Sequence, residues 1–180
     1  MQSFGIREPR PGEQKALEAL ITDHFSEGKS YTVDLGLTDQ DYHVRVAVED
    51  GTILGVMAVA VYADVDDVVD EMYFFDTAEP LPEAERYGLL EMGYVRQGAT
   101  GRGIGGSLLE RVEEIGLDHD VDVFLADAWY HGGDDSPEML FEAHGYETVY
   151  RDSLDRSAAD CSKCVSACTC EKALTVRWVE

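Results

Sequence analysis

The stretch of sequence that decides the fold lies between a strand pattern and an amphipathic helix pattern. It reads Val95-Arg96-Gln97-Gly98-Ala99-Thr100-Gly101-Arg102-Gly103-Ile104-Gly105-Gly106-Ser107-Leu108-Leu109. Its glycines allow a sharp turn and let backbone N–H groups approach a bound group closely. The helix that follows adds a partial positive charge at its first turn. The stretch therefore predicts an anion site, most naturally for a pyrophosphate, with Arg96 and Arg102 available to assist.

Three other interpretations of the glycine turn are weaker. A dinucleotide-binding fingerprint needs an N-terminal βαβ unit and a later acidic strand end, and the sequence lacks both. A P-loop needs Gly-Lys-Ser/Thr, which is absent here. A tight turn without a ligand is less favoured, because four glycines fall within the six residues 101–106, between a strand and a helix.

Outward from this turn, the pattern predicts a mixed sheet flanked by helices. Two β-rich runs around Asp50-Gly51 form a strong hairpin signal, and strand–helix–strand alternation in the second half implies crossover connections. The fold class is therefore α/β with a mixed, mostly antiparallel central sheet. The predicted strands are 4–8, 42–49, 52–62, 87–95, 121–128, 146–151 and 173–179, and the predicted helices are 11–25, 104–116 and 137–144. Residues 28–41 are predicted to be a loop.

Length and charge restrict the class of protein. The 180 residues suit one domain, 1–180, with a polar insertion at about 152–172 before the last strand. Lys and Arg number 14 against 37 Asp and Glu, a formal net charge of −23. The acids are dispersed along the whole chain, which resembles the proteins of salt-loving microbes, haloarchaea in particular; the alternative is an ordinary acidic protein. Binding to nucleic acid or an anionic membrane is disfavoured.

The N-terminus and the apolar runs predict where the protein works. No apolar run approaches the length needed to span a bilayer. The first residues lack a basic region followed by an apolar stretch, so no signal peptide is expected. We therefore expect a cytoplasmic protein.

All four cysteines lie in the polar insertion, at Cys161, Cys164, Cys168 and Cys170. A cytosolic protein keeps its thiols reduced, which makes disulfides the weaker interpretation. Four thiolates within ten residues can surround one tetrahedral Zn²⁺, and a closed set of four suits a structural site. Disordered or redox-active thiols remain the alternatives, and an iron–sulfur cluster usually needs wider spacing.

The glycine turn resembles the Gln/Arg-x-x-Gly-x-Gly/Ala motif of the GNAT superfamily of N-acetyltransferases. The matching stretch is 100–105, and residues 139–146 resemble the family's Leu-Tyr-Glu-x-x-Gly-Phe signature. The predicted elements fit the family from about 4 to 151 and again at 173–179. The resemblance implies that acetyl-CoA is the cosubstrate. It also implies a cofactor-binding set of Tyr94, Val95, Thr100, Gly101, Arg102, Gly103, Ile104, Gly105, Gly106 and Ser107.

Two positions depart from the family pattern. Thr100 replaces the usual Gln or Arg, which removes a long polar side chain but leaves the backbone amides. Phe141 stands where many members have a tyrosine that protonates the leaving thiolate. Another group, or water, must then supply that proton.

The family's reaction is a direct attack of a neutral amine on the acetyl thioester, so the resemblance implies a base and a backbone N–H for the oxyanion near Tyr94 or Val95. Glu91 is the candidate base, with an exposed acid as the alternative. Asp127 is the candidate for binding the substrate ammonium, unless it is a solvated or capping acid. His131 could accept a proton near neutral pH, although a surface histidine is the simpler interpretation.

These observations together predict an acetyl-CoA-dependent N-acetyltransferase that acts on a primary amine. The acidic surface favours a cationic acceptor. The alternatives are a noncatalytic CoA-binding module and a zinc-organised interaction module on the same scaffold. The acceptor and the oligomeric state stay open, although homodimers are common in such folds.

Overall fold

The computed structural model describes residues 3–25, 40–134, 136–161 and 163–180, without the side chains of 23–25. The predicted loop at 28–41 falls almost entirely outside these ranges. The chain forms two compact units, the first containing Met1–Val61 and Leu90–His119, the second Tyr62–Leu89 and Asp120–Glu180.

The strands form a seven-stranded, mixed and mostly antiparallel sheet in the order β1-β2-β3-β4-β5-β7-β6, which confirms the predicted fold class. The strands are β1 Gly5–Arg7, β2 Tyr42–Glu49, β3 Thr52–Tyr62, β4 Tyr87–Val95, β5 Val123–Tyr130, β6 Glu147–Ser153 and β7 Glu171–Trp178. The helices are α1 Gln14–Phe25, α2 Val65–Glu71, α3 Ile104–Asp118 and α4 Glu138–Ala143, with 3-10 turns at Pro11–Glu13 and Ala158–Asp160.

The first unit is built on the predicted hairpin and helix. Asp50 and Gly51 have φ values of 48° and 79°, the left-handed pair that a tight two-residue hairpin turn requires. The apolar face of α1, including Leu17 and Leu20, packs on apolar residues of β2 and β3 such as Val46. This burial fixes the helix against the sheet, because an amphipathic helix is stable only when its apolar face is covered.

Helix α1 is anchored by Glu13 at its start. Arg7 donates two hydrogen bonds to the Glu13 carboxylate, at 2.8 and 2.6 Å, and the Arg10 amide donates a third at 2.7 Å. Hydrogen bonding with Arg7 is the largest cause that lowers the pKa of Glu13 to about 2. The charged carboxylate therefore ties the first strand to the start of the helix.

The second unit contains a helix that the sequence analysis did not predict. The acidic run from Asp64 onward forms α2, because Asp64 caps it by accepting from the Asp66 amide at 2.9 Å. Acids in the first turn then stabilise the helix dipole. Val68 and Met72 bury their side chains in a core with Leu125 and neighbouring residues of β5 and β7.

Strand β5 begins and ends two residues later than predicted. Asp120 adopts φ 59°, and the Asp122 carboxylate accepts from the amides of Glu85 and Arg86 at 3.1 and 2.8 Å. These contacts hold 120–122 as a turn, so the strand runs from Val123 to Tyr130. Asp127 consequently lies within the strand and not at its very end.

In the described part of the chain, none of the helices combines the length and the apolar character that crossing a bilayer requires.

We predict that Gly88→Ala destabilises the second unit. A Cβ at Gly88 would lie 2.8 and 2.9 Å from ring carbons of Phe124, which is completely buried and has little room to move. Such overpacking costs about 1–3 kcal/mol of the free energy of unfolding. Urea denaturation of the purified variant measures this loss.

Gly12→Ala is the matched control, because a Cβ there meets nothing within 4 Å among the described residues. Equal unfolding midpoints for the two variants would contradict the close packing of Phe124 on β4.

Candidate active site

The glycine turn gives helix α3 an open N-terminus. The chain leaves β4 at Val95 and tightens where the Ala99 amide donates to the Arg96 carbonyl at 2.9 Å. Gly101 and Gly103 then have φ values of 73° and 79°, and Gly103 is the N-cap of α3. Among the described residues, no side chain caps this helix, and its first turn carries no acid. The first amides of a 15-residue helix are therefore available to an anion.

The conformation of the turn, more than tight packing, explains its glycines. A Cβ at Gly101 or Gly103 would meet no described atom of the protein within 4 Å. The left-handed backbone is nevertheless unfavourable for other residues, so glycine is needed for the turn itself. The two glycines are thus required by the backbone conformation and not by contacts with the described residues.

The two arginines of this stretch make contacts within the protein. Arg102 donates to both Glu49 carboxylate oxygens, at 3.2 and 2.7 Å, and to the Ser3 hydroxyl at 2.7 Å. Arg96 donates through its Nε to the Ile53 carbonyl at 3.3 Å. These contacts brace the turn against the N-terminal segment and the hairpin, so the backbone amides are the better phosphate donors.

A close contact at Gly55 positions α3, and the sequence analysis missed it. A Cβ at Gly55 would lie 3.0 Å from the Tyr94 carbonyl oxygen and 3.1–3.2 Å from side-chain atoms of Leu108 and Ile104. Glycine in the middle of a strand often marks such an approach. The first turns of the helix therefore pack directly over β3, beside the predicted cofactor strand.

Strand β4 is irregular at the candidate base. Met92 has φ 51°, a left-handed conformation that is uncommon for a residue with a side chain and typical of a β-bulge. Met92 and Tyr94 pack against the core beneath α1, whereas Gly93 faces Met57. In a regular strand, the side chains at positions 91, 93 and 95 would lie on the same face. Because the strand is irregular at Met92, this rule does not give the direction of the half-buried Glu91 side chain.

Asp127 is a largely buried carboxylate on β5 of the second unit. Its Oδ2 accepts hydrogen bonds from the amides of Tyr73 and Phe74, the latter at 2.9 Å. Its Oδ1 is buried and has no hydrogen-bond partner within the described chain. Burial raises the pKa of Asp127, and the two amides together with Lys172 act in the opposite direction. The carboxylate thus supports a loop with one oxygen and leaves the other available.

His131 follows β5 and contacts Trp129. Its Nδ1 accepts from the Gly133 amide at 3.2 Å, and its ring lies edge-on to the Trp129 indole at 5.4 Å. Asp127 and Trp129 are two residues apart on the strand and share one face. The structure therefore brings Asp127, Trp129 and His131 to one end of β5.

The four cysteines converge on one point. Their sulfur atoms lie within 4.8 Å of one another, with Cys161–Cys170 and Cys164–Cys170 separations of 3.7 Å. A disulfide needs about 2.05 Å. A tetrahedral zinc site with bonds of about 2.3 Å gives sulfur separations of roughly 3.8 Å. The four cysteines could therefore bind a metal.

The thiols have different environments. A backbone hydrogen bond with Thr169 is the main cause that lowers the pKa of Cys164 to about 7. Burial raises the pKa of Cys170 to about 12, whereas an interaction with the Trp129 side chain acts in the opposite direction. Backbone hydrogen bonding therefore dominates at Cys164, and burial dominates at Cys170.

Phe141 lies in the core of the second unit. It is buried and packs against Tyr146, with ring centroids 5.1 Å apart. Its ring has no hydroxyl group to donate a proton. The phenylalanine that departs from the family pattern instead contributes a buried apolar ring.

Comparison with solved structures defines the class of fold. The chain is similar to an agmatine N-acetyltransferase (13% identity, TM-score 0.67, 98% of this chain and 100% of that one). It is also similar to a ribosomal-protein-alanine N-acetyltransferase from Brucella melitensis (18%, 0.63, 97% and 99%). A third similar structure is an aminoglycoside 6'-N-acetyltransferase complexed with coenzyme A (12%, 0.63, 97% and 96%). These likenesses give the fold of N-acetyltransferases.

The sequence itself gives the family. Residues 11–132 match the family model described as "Acetyltransferase (GNAT) family". The chain belongs to this family, and it is accordingly an acetyl-CoA-dependent N-acetyltransferase. None of the curated proteins compared with the chain matches it.

We predict that Gly103→Val weakens acetyl-CoA binding. Valine at φ 79° is strained by about 1–2 kcal/mol, so the turn would reorganise and redirect the first amides of α3. We expect the dissociation constant for acetyl-CoA, measured by calorimetry, to rise about tenfold, since 1.4 kcal/mol corresponds to that factor.

Gly145→Val is the control. Gly145 lies after the end of α4, has φ 81°, close to that of Gly103, and leaves a Cβ without contacts within 4 Å in the described chain. Valine at this position would have the same backbone strain, but outside the glycine turn. Equal losses of affinity in the two variants would contradict the assignment of the turn.

Proposed function

We propose that the protein transfers the acetyl group of acetyl-CoA to the primary amine of a small cationic acceptor, by direct attack in a ternary complex. The observation that carries the proposal is the open N-terminus of α3 behind the two left-handed glycines. In a chain of net charge −23, this is a local site where a polyanion meets backbone N–H groups and no acid in the helix's first turn.

The residues of the turn fit the pyrophosphate of acetyl-CoA. The amides of Ile104, Gly105 and Gly106 precede the first intrahelical hydrogen bond, which the Ser107 amide donates to the Gly103 carbonyl. The strand residues Tyr94 and Val95 would pair with the pantetheine arm. Acetyl-CoA then supplies the acyl group, and these residues bind and orient it.

Glu91 is the proposed base, acting directly or through water. It is half-buried on β4, immediately before the irregular residue Met92. The amine nitrogen, once neutral, forms a bond to the thioester carbonyl carbon, and the carbon–sulfur bond breaks. The thiolate leaves with a proton from water or another group, because Phe141 has none to give. A backbone N–H near Tyr94 or Val95 would stabilise the oxyanion.

Asp127 is the proposed anchor for a second positive charge on the acceptor. Its Oδ1 is buried and lacks a partner among the described residues, and such a carboxylate gains most from a cation that restores the lost hydration. The reacting amine itself must be neutral, so the anchored group is a different cation. The name of the similar agmatine enzyme denotes an acceptor with two basic groups. His131 is the proposed polar neighbour of the acceptor.

We also propose that the metal suited to the four cysteines is a structural Zn²⁺. Four sulfur ligands close the coordination shell and leave no position for a substrate or water. Salt adaptation remains our explanation for the dispersed acids. It would make molar KCl the appropriate solvent for every assay.

A panel of amines tests the function. We expect acetyl-CoA-dependent release of free thiol with primary amines, and a lower KM for a diamine than for a monoamine of the same chain length. Asp127→Asn should raise the KM for the diamine about tenfold or more, because hydrogen bonds to charged groups contribute about 1.5–3 kcal/mol. The monoamine KM should stay unchanged. The Asn carbonyl oxygen can still accept from Tyr73 and Phe74, so the loop keeps its support.

Asp122→Asn is the matched control, because Asp122 also accepts two backbone amides with one carboxylate oxygen. It should leave both KM values unchanged. Thiol release with no amine in the panel, despite saturable acetyl-CoA binding, would favour the noncatalytic CoA-binding alternative. A diamine preference that survives in Asp127→Asn would exclude the proposed anchor.

A further inference from the structure

The cysteine loop, residues 154–170, has little apolar material to hold its own shape. The Leu154 amide donates to the Cys170 carbonyl at 3.0 Å and closes its base, and the 3-10 turn at Ala158–Asp160 is local. Val165, at the tip, is 99% exposed. Among the described residues of the loop, the buried side chains are those of two cysteines, Cys161 and Cys170. A loop of this length needs another source of order, and a metal can provide it.

Trp129 joins this loop to β5. The guanidinium carbon of Arg156, a residue of this loop, lies 5.8 Å from the centre of its ring. Its other neighbour is His131, at 5.4 Å between ring centroids. In the sheet, Trp129 lies opposite Lys172, two residues after Cys170. The indole is therefore contacted both by the cysteine loop and by a proposed acceptor residue.

The charges around the cluster suit a metal bound by four thiolates. Such a centre carries a net charge of −2 with Zn²⁺ and needs nearby cations in a protein that is already strongly acidic. Two of the chain's four lysines, Lys163 and Lys172, lie within or directly after the loop, and Arg156 lies within it. Within the loop, Arg156 and Lys163 balance Asp155 and Asp160, so this part of a strongly acidic chain has no excess of acids beside the thiolates.

We propose that Zn²⁺ held by Cys161, Cys164, Cys168 and Cys170 fixes the side chain of Trp129 and thereby sets the acceptor side of β5. Trp129 is a positioning residue in this scheme. With the metal bound, the ordered loop holds Arg156 over one side of the indole, and the indole contacts His131 with another. Without it, the loop loses its cross-link and the indole gains rotamers. The inference rests on the proposed function only for its kinetic readout.

The kinetic signature of this coupling is selective. The KM for the acceptor amine should rise about tenfold when the metal is removed. Loss of a residue that supports a metal ligand lowers affinity or activity about 10–100-fold, and we expect the lower end of that range. The dissociation constant for acetyl-CoA should not change, because the glycine turn makes none of the contacts described for Trp129. A general loss of folding would instead weaken both.

The first experiment measures the metal and the indole together. Trp178 is half-exposed at the far end of β7, so Trp178→Phe leaves Trp129 as the sole tryptophan. The protein is stripped with a chelator under reducing conditions and titrated with Zn²⁺ alone. We expect one equivalent of Zn²⁺ to bind, and the Trp129 fluorescence to shift in step with binding. Trp129→Phe, which keeps only Trp178, should bind Zn²⁺ without the shift.

The second experiment compares the kinetics of the stripped and the Zn²⁺-loaded protein, with circular dichroism to check folding. A raised amine KM in the stripped protein, reversed by Zn²⁺, supports the proposal. Stoichiometric Zn²⁺ binding without a fluorescence shift or a KM change overturns the coupling, and a failure to bind Zn²⁺ overturns the metal site. A fluorescence shift in a protein that acetylates no amine overturns the proposed function but supports the contact between metal and Trp129.

A further variant keeps the test decisive if the stripped protein unfolds. In Zn²⁺-loaded protein, Trp129→Phe preserves an aromatic ring but replaces the indole between Arg156 and His131 with a smaller one. It should raise the amine KM and leave the acetyl-CoA dissociation constant unchanged. Trp178→Phe should change neither value. Wild-type kinetics in the Trp129→Phe variant would overturn the positioning role.

Discussion

The packing of helix α3 over Gly55 is the contact on which the cofactor side depends. A side chain at this position of β3 would push against the Tyr94 carbonyl, Leu108 and Ile104. Because glycine leaves that space, the first turn of the helix lies directly on the sheet, and its amides point out of a turn that two left-handed glycines shape. The proposed anion site is thus a property of the backbone, and the sum of the surface charges would not remove it.

This arrangement explains how a protein with a net charge of −23 can bind a polyanion. The long-range potential of so many acids repels phosphate at low salt, but it is screened within about 10 Å at 0.1 M ionic strength. The local donors are fixed backbone dipoles with no acid in the helix's first turn. Arg102, the obvious cation, is already paired with Glu49. Fixed backbone donors and the screening of distant charges by salt would therefore act together at the proposed site.

Sequence patterns predicted the elements that have a strong local signal. The hairpin at Asp50-Gly51, the strand before the glycine turn and the helix after it were all predicted with correct types, because turn residues and apolar periodicity act locally. Helix α2 was missed because its acids suggested an exposed loop, although Asp64 is a good cap. The mid-strand Gly55 indicates a close approach but not its partners, because the contacting residues of β4 and α3 lie far away in sequence. The left-handed conformation of Met92 has no comparable sequence signal. The assignments of Glu91, Asp127 and His131 remain predictions.

Strand β5 shows why one surface can serve both structure and chemistry. Its inner positions, such as Leu125, belong to the core with α2, and the next position on that face is Asp127, whose carboxylate supports the loop after α2. Two residues further on, Trp129 meets the cysteine loop. A buried carboxylate with one free oxygen is costly unless something binds it. The cysteine loop also carries a cost without a metal, because it has few apolar contacts to order it. Both costs fall at the same end of the strand, where an acceptor and an ion would remove them.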